Sequence, residues 1–225
     1  MGSQLQPQFA SEMGGEVPDA GVTGYVTRIG QRLAAVTEGD APGLPWTFTV
    51  INSTTVNAFA LPGGKVFITR ALLQEMTNEA QLAAVLGHEI GHVTARHTND
   101  RMVQSGLASA LGQIAAVGVG AATNSEAATK VAGTAFEVAG TTVVLKYSRD
   151  QESESDSLGM RYMTRVGYDP TGARQVQEIL KRISGNTSKT SEFFATHPLA
   201  DTRIQRIDQE LKKKPYKDMV GNPQY

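Results

Sequence analysis

The chain alternates between stretches with the apolar spacing of helices and one region with the composition of strands. Apolar residues recur every three or four positions over residues 18–38, which predicts a helix. The segment WTFTVINS, residues 46–53, is rich in β-branched and aromatic residues and predicts a strand. Residues 56–69, VNAFALPGGKVFIT, predict two more strands around a turn at residues 61–64. We therefore expect a small antiparallel sheet.

Helical periodicity or helix-capping residues mark most of the remaining chain. The predicted helices cover residues 70–76, 78–97, 148–166, 170–183 and 200–213. Between them, residues 102–147 are rich in Ala, Gly and Val with few charges, which predicts two helices broken near residues 122–125. These helices could pack as a lid over the domain, or residues 102–122 could make peripheral contact with a membrane. Packing is favoured, because the polar face lacks the basic residues typical of a membrane-surface helix.

Composition limits the possible classes of protein. The 225 residues carry a net charge of −1 and no cysteine. This length suits a single domain, residues 1–225, that includes a loose N-terminal arm at 1–17 and a polar tail at 214–225. No clustered basic excess indicates a nucleic-acid partner, and no disulfide framework or thiolate metal site is possible. Nothing in the composition indicates an oligomeric state.

The chemistry of the chain is concentrated at His88-Glu89-Ile90-Gly91-His92, inside a predicted helix. Two histidines four positions apart project from the same helix face, so both imidazoles can bind one metal ion. Zinc suits such nitrogen ligands. Glu89 lies beside the ion without having to bind it, where its carboxylate can take a proton from water that the metal has acidified. This pattern is typical of metalloproteases, and two ordinary histidines on a helix are the simpler alternative.

A catalytic zinc site usually has three protein ligands, so a third must come from elsewhere in the chain. The candidates are Glu152, Glu154, Asp156, His97 and His197. Glu152 and Asp156 share a helix face that continues through small and apolar residues, whereas Glu154 points to a solvated face with Arg161 and Arg165. Glu152 is therefore the predicted ligand, and Asp156 is placed to accept the ring N–H of a ligating histidine. The alternative is an acidic surface helix with i,i+4 ion pairs.

Four segments resemble the zinc metallopeptidases of family M48, in the expected order. They are VNAFALPGGKVFITRALL, HEIGHVTARH, SRDQESESDSLG and THPLADTRI, and the resemblance spans about residues 46–207. The family includes the HtpX heat-shock proteases, the CAAX prenyl proteases and the BepA-like proteases, and the chain is most similar to soluble, periplasmic BepA-like members. The resemblance implies an α+β fold: a mainly helical zincin-like (gluzincin) metallopeptidase domain with a small antiparallel sheet beside the active-site helix.

The resemblance also implies roles for the residues in the two central motifs. His88 and His92 match the family's zinc ligands, and Glu89 matches its catalytic glutamate. Glu152 matches the third ligand, four residues before Asp156 in the family's E-x-x-A-D pattern. This chain has serine where that pattern has alanine, a position that is not a ligand.

Three residues outside those motifs complete the site that the resemblance implies. Asn57 matches an asparagine that binds substrate, and His197 and Arg203 match a histidine and an arginine near the transition state. In BepA-like members that histidine can also occupy the open position of the zinc ion and hold the enzyme off, so His197 could assist or inhibit. His97 belongs to the family's extended motif but is not a zinc ligand there.

The implied function is a zinc-dependent endopeptidase with one Zn2+ ion, acting on misfolded or envelope proteins. The resemblance also implies a periplasmic or envelope-associated location. The first residues lack the features of a signal peptide, so we expect that a signal or lipoprotein segment has been removed. Two alternatives stay open: a chaperone-like binding module with a latent, His-blocked zinc site, and a structural zinc protein. Glu89 argues against the second, because a structural site needs no carboxylate beside the metal.

Overall fold

The structure, a computed structural model, describes residues 10–11, 13–39, 41–104, 147–184, 193, 196–197 and 201–221, with backbone alone at 101–104. Nearly all of the predicted helix pair at 102–147 lies outside the described residues, and so does the question of membrane contact through residues 102–122. No helix in the described ranges is both long and apolar enough to cross a bilayer.

The described part of the chain is mainly helical and includes a three-stranded sheet. In chain order its elements are α1 (Ala20–Ala34), β1 (Thr47–Ile51), β2 (Ala58–Leu61), β3 (Lys65–Thr69), α2 (Arg70–Glu75), α3 (Glu79–Thr94), α4 (His97–Gln104), α5 (Arg149–Arg165), α6 (Thr171–Ile183) and α7 (Asp201–Leu211). Short 3-10 turns cover Ala41–Gly43 and Tyr216–Asp218. The predicted class, a mainly helical α+β fold with a small sheet, is confirmed.

Helix α1 begins where the sequence predicts and ends earlier. The carboxylate of Asp19 accepts hydrogen bonds from two backbone N–H groups of the first turn, which caps the helix. The prediction extends this helix to about Glu38, but the regular α-helix ends at Ala34. The N–H groups of residues 36 and 37 then bond to carbonyls three positions back, a tighter turn that closes the helix.

The sheet is mixed, which corrects the prediction of an antiparallel sheet. β2 and β3 form the predicted antiparallel hairpin, with φ of +82° at Gly63 and +79° at Gly64 in the turn. β1 pairs with β3 in parallel, from Thr47 beside Lys65 onward. The physical reason is the strand order β1-β3-β2: β3 is buried along its length and takes the centre, so β1 lies on the side away from β2.

The described residues of the N-terminal arm lie against the sheet rather than loosely in solvent. Ala10 is buried in a cluster with Ile51, Leu61 and Phe67. Glu16 forms an antiparallel bridge with Ile51, which covers part of the outer edge of β1. Within the described ranges, β2 therefore remains the sheet edge without a strand partner.

Helix α3 is the central helix, buried along nearly all its length against α1, α5, α6 and the sheet. Asn78 caps it, because its side chain accepts a hydrogen bond from the backbone N–H of Gln81. The prediction continues this helix to about His97, but it ends at Thr94. Arg96 has a left-handed φ of +60°, which breaks the helix, and α4 begins at His97 in a new direction.

Glycines let α3 and α5 approach each other closely. A Cβ atom at Gly159 of α5 would lie 2.9 Å from backbone atoms of Gly87 and His88 on α3. A Cβ atom at Gly91 would lie 2.7 Å from the hydroxyl oxygen of Ser155. Because the two backbones nearly touch, side chains on the facing surface of α5 can reach the histidines of α3.

Candidate metal centre

Helix α3 carries two buried histidines one turn apart. His88 and His92 are 8% and 0% exposed, and their Nε2 atoms are 3.1 Å apart. Burial lowers the pKa of His92 well below its ordinary value, although Glu152 favours the charged form. His92 is therefore a neutral imidazole, the form in which histidine binds metal ions.

Helix α5 brings Glu152 to the same point. A capping box between Ser148 and Gln151 starts the helix and fixes Glu152 in its first turn. Glu152 is fully buried, and its Oε1 lies 3.3 Å from Nε2 of His92 while its Oε2 lies 3.6 Å from Nε2 of His88. The structure thus brings together two parts of the chain that the sequence separates by sixty residues.

His197 adds a fourth potential ligand. Ligand atoms of His88, His92, Glu152 and His197 all lie within 4.8 Å of one another. Nδ1 of His197 is 3.0 Å from Oε1 of Glu152 and 3.5 Å from Nε2 of His88. Zinc bound tetrahedrally at ordinary bond lengths holds its ligand atoms about 3.3 Å apart. The distances of 3.0–3.6 Å given above between ligand atoms of this cluster are close to that spacing.

Asp156 fixes the tautomer of His88. Its Oδ1 lies 2.9 Å from Nδ1 of His88. Burial would raise the pKa of Asp156, but Arg203 and His88 hold it at about 2, so the carboxylate is ionised and only accepts hydrogen bonds. The proton of His88 is then on Nδ1, and the lone pair of Nε2 points toward His92 and Glu152. Lone pairs and carboxylate charge that converge in this way are stabilised by a cation, so these residues fit a divalent metal ion.

Arg203 of α7 contacts both carboxylates of the centre. Its Nε and Nη2 each donate to Asp156 at 2.7 Å, and its Nη1 lies 2.5 Å from Oε2 of Glu152. The guanidinium is almost fully buried, so its two charge-assisted hydrogen bonds to Asp156 are strong and directional, and its contact with Glu152 is an ion pair. The sequence predicts Arg203 near the transition state, and that role stays a prediction. In the structure its contacts orient Glu152 and Asp156.

Glu89 lies beside the cluster, and one of its carboxylate oxygens accepts no hydrogen bond from the described residues. Its side chain is 1% exposed, and its Oε2 has no hydrogen-bond partner among the described residues. Its Oε1 lies 3.6 Å from Nε2 of His197. Burial raises the pKa of Glu89, although His197 and His88 oppose this. A carboxylate with a raised pKa, and with an oxygen that no described residue contacts by a hydrogen bond, is suited to exchanging protons.

Asn57 lies immediately before β2. Its backbone N–H donates to the Thr69 hydroxyl at 3.0 Å, and its carbonyl accepts from the Thr69 N–H at 2.9 Å. The side chain is buried, and its Oδ1 has no hydrogen-bond partner among the described residues. Such an unmet acceptor costs about 1–3 kcal/mol, which a hydrogen-bonded ligand would recover. None of the described contacts joins Asn57 to the histidines, so its substrate role stays a prediction.

Two further residues support the ligands without having been indicated by the sequence. The ring of Tyr147 stacks on His92 with 3.7 Å between centroids. The hydroxyl of Ser155 donates to the backbone carbonyl of His88. Ser155 occupies the alanine position of the family pattern on the inward side of α5. A polar residue there could have indicated a hydrogen bond inside the site. Tyr147 lies outside the quoted motifs, so the sequence did not indicate its contact with His92.

Glu154 lies on the solvated face of α5 and contacts His97. Arg161 and Arg165 pair with Glu38, at 3.1 and 2.8 Å. Oε2 of Glu154 lies 3.2 Å from Nε2 of His97 instead. The side chain of Glu154 is 61% exposed, as the prediction of a solvated helix face requires.

Comparison with known families settles the class of the protein. The family model described as Peptidase family M48 matches residues 21–211. The chain belongs to this family. The family that the sequence resembles is therefore confirmed.

Individual relatives have protease names. The mitochondrial metalloendopeptidase OMA1 of Schizosaccharomyces pombe is 32% identical over 188 residues, which cover 83% of this chain and 52% of the relative. The beta-barrel assembly-enhancing protease of Escherichia coli K12 is 30% identical over 205 residues, which cover 89% of this chain and 42% of the relative. The chain thus spans about half the length of these relatives or less.

Proposed function

We propose that the chain is a zinc-dependent endopeptidase that hydrolyses peptide bonds within protein substrates. One observation carries this proposal: the ligand atoms of two histidines and a glutamate converge as they would around one ion, beside a carboxylate oxygen of Glu89 that has no hydrogen-bond partner in the described part of the chain. The metallopeptidase family and the protease names of the relatives agree with it.

His88, His92 and Glu152 are the proposed ligands, and they would hold one Zn2+ ion. Two imidazole nitrogens and a carboxylate oxygen form a donor set that zinc accepts in catalytic sites. When bound, the metal supplies Lewis acidity, which polarises the scissile carbonyl and makes water a stronger acid. Asp156 and Arg203 would act indirectly, by keeping His88 and Glu152 in the orientation that binds metal.

Glu89 is the proposed general base and then general acid. Its free Oε2 would take a proton from the attacking water and deliver it to the leaving nitrogen of the peptide. The pKa of Glu89, raised by burial, supports this role, because a proton carrier works best with a pKa near the working pH.

His197 is proposed to occupy the fourth ligand position in the resting state. The distance of 3.0 Å between its Nδ1 and Oε1 of Glu152 supports this, because both atoms then face the same ion. Substrate would have to displace the imidazole, which could afterwards turn to stabilise the developing oxyanion. We expect His197→Ala to raise the basal rate of cleavage. A fall in that rate would instead identify His197 as a group that assists the reaction.

The proposed substrates are unfolded or misfolded proteins bound in extended form. β2 offers an edge for strand addition, a common mode of peptide recognition, and the unmet Oδ1 of Asn57 lies at its start. The relatives named beta-barrel assembly-enhancing proteases support substrates and a location in the bacterial envelope. The mitochondrial relative shows that the family's compartment varies. The organisation as a single domain belongs to the same proposal.

The test is a digestion assay with unfolded casein, with and without a chelator, followed by addition of Zn2+. We expect new peptide ends to appear with the wild-type chain, to stop with chelator and to return with zinc. Glu89→Gln should retain one zinc per chain by metal analysis and lose at least about 100-fold in rate. Glu75→Gln makes the same chemical change on α2, away from the metal centre, and serves as the control. Proteolysis by Glu89→Gln at the wild-type rate would refute the assignment of the base.

A second candidate function is a chaperone-like module whose zinc site is latent. The observation that favours it is again His197, whose position among the ligands would block the site. Under this alternative the wild-type chain fails to cleave casein and suppresses aggregation of an unfolded protein, and cleavage appears only in His197→Ala. Cleavage of casein by the wild-type chain would exclude a latent site.

A further inference from the structure

His97 lies at the first position of α4, where the break after α3 turns the chain back toward the metal centre. The side chain is buried, at 4% exposed. Its Nδ1 lies 3.0 Å from Nδ1 of His92, and its Nε2 lies 3.2 Å from Oε2 of Glu154. His97 therefore joins a proposed metal ligand on one side to a partly solvated carboxylate on the other.

The hydrogen bonds of this chain of contacts can all run in one direction, from His92 through His97 to Glu154. A carboxylate accepts, so Nε2 of His97 donates to Glu154. Nδ1 of His97 then presents its lone pair to Nδ1 of His92. One of two facing nitrogens must donate, and that nitrogen is Nδ1 of His92. The lone pair of His92 is thereby placed on Nε2, the atom that faces His88 and Glu152.

We propose that His97 and Glu154 form a positioning pair that sets the tautomer and ring orientation of His92 for metal binding. This inference rests on the proposed function, because it assumes that His92 is a ligand. Each ligand histidine then has its own acceptor: Asp156 for His88, in direct contact, and the His97–Glu154 pair for His92. Hydrogen-bond partners of metal-binding histidines typically change metal affinity about 10–100-fold when removed.

Substitutions at His97 separate this role from mere packing. His97→Leu removes the acceptor and keeps an apolar filling. His97→Asn restores an oxygen acceptor near the position of Nδ1 while losing the contact with Glu154. If His97 only packs, the two variants should behave alike. If His97 positions His92, the His97→Asn variant should recover most of the zinc affinity that His97→Leu loses.

The readout is zinc affinity of the full chain, measured by competition with a chromophoric chelator, together with thermal melting of each metal-free variant. We expect His97→Leu to weaken zinc binding about 10–100-fold with a metal-free melting temperature close to wild type. His97→Asn should bind about tenfold more tightly than His97→Leu. Glu154→Ala should bind zinc a few-fold more weakly than wild type. Glu154→Gln should lose less zinc affinity, since its amide oxygen still accepts a hydrogen bond. Asp150→Asn, also an exposed acid of α5, is the control and should match wild type.

The inference is overturned if His97→Leu binds zinc within twofold of wild type, or if His97→Asn is as weak as His97→Leu. If His97→Leu does not fold, Glu154→Ala decides, because its side chain is largely in solvent, and unchanged affinity there overturns the pair. Failure of the wild-type chain to bind zinc at all would refute the proposed function rather than the role of His97.

Discussion

Arg203 shows how much the metal centre depends on one buried charge. The guanidinium contacts Glu152 and Asp156, so removing it leaves two buried carboxylates without their strongest common partner. Burial alone would raise the pKa of Glu152, and it is His197 and Arg203 that hold this pKa well below its usual range. The arginine thus keeps the proposed ligand ionised before any metal binds.

We expect Arg203→Met to lower the free energy of unfolding of the metal-free chain by about 3–5 kcal/mol, the usual cost of breaking a buried ion pair from one side. Denaturant unfolding measures this. Arg206→Met is the matched control on the same helix, because Arg206 is 54% exposed and its ion pair should contribute less than about 1 kcal/mol. Equal losses in the two variants would contradict the account of Arg203.

At this scale the sequence predicts which side chains lie together better than it predicts their further contacts. Glu152 and Asp156 follow from helix periodicity, because both lie on the inward face of one regular helix. The partner of Glu154 could not be predicted in the same way. It depends on the reversal at Arg96, whose left-handed φ no apolar pattern reveals. Contacts within a helix are periodic, whereas contacts across a chain reversal depend on one backbone torsion.

The contact between α3 and α5 is the element-scale feature that makes the centre possible. Gly159 and Gly87 face each other there, and Gly91 faces Ser155. A side chain at Gly159 would push the helices apart and move Glu152 away from the imidazoles.

We expect Gly159→Ala to destabilise the chain by about 1–3 kcal/mol, because the added methyl group meets rigid backbone rather than a movable side chain. It should also weaken zinc binding in the chelator competition. Gly24→Ala on α1 is the control, since a Cβ atom there meets nothing within 4 Å and should stabilise the helix by about 0.5–1 kcal/mol. A Gly159→Ala protein as stable as wild type would contradict the close contact between α3 and α5 at this position.

Glu38 links the end of α1 to α5 through Tyr162, Arg161 and Arg165. Burial opposes ionisation of Glu38, but hydrogen bonds from Tyr162 and Arg161 lower its pKa below the ordinary value of 4.5. A carboxylate with a lowered pKa in the folded state stabilises the fold above its unfolded pKa. That contribution is lost as pH falls through the folded pKa.

We expect Glu38→Gln to be less stable than wild type at pH 7 by less than about 1 kcal/mol, since the site is partly exposed. The difference should shrink toward zero below pH of about 4, as Glu38 becomes protonated. Urea unfolding across this pH range tests the link. A difference that stays constant with pH would mean that the ion pairs are not its cause.

The sheet marks a limit of prediction at the element scale. Strand composition identifies β1, β2 and β3, and the glycine turn identifies the hairpin. The parallel pairing of β1 could not be read from composition, because it depends on which side of β3 remains free. That choice is made by packing of the whole domain.

At the scale of the whole molecule, the described residues form a helical scaffold that holds four potential ligands at one buried point. They come from α3, α5 and the segment before α7, three regions distant in the chain. Membership of the metallopeptidase family was predictable because the motifs fall in a fixed order. The contacts of Arg203 with Glu152 and Asp156 were not predictable, because they depend on how the last helix packs on α5.

The central claim is that side chains of α3 and α5 hold one metal ion between them. Its most direct test is an anomalous difference map, recorded at the zinc absorption edge, from crystals of the zinc-loaded chain. The account predicts one peak per chain about 2.0–2.2 Å from Nε2 of His88, Nε2 of His92 and a carboxylate oxygen of Glu152. A peak elsewhere, or one that lacks Glu152 among its ligands, would contradict it.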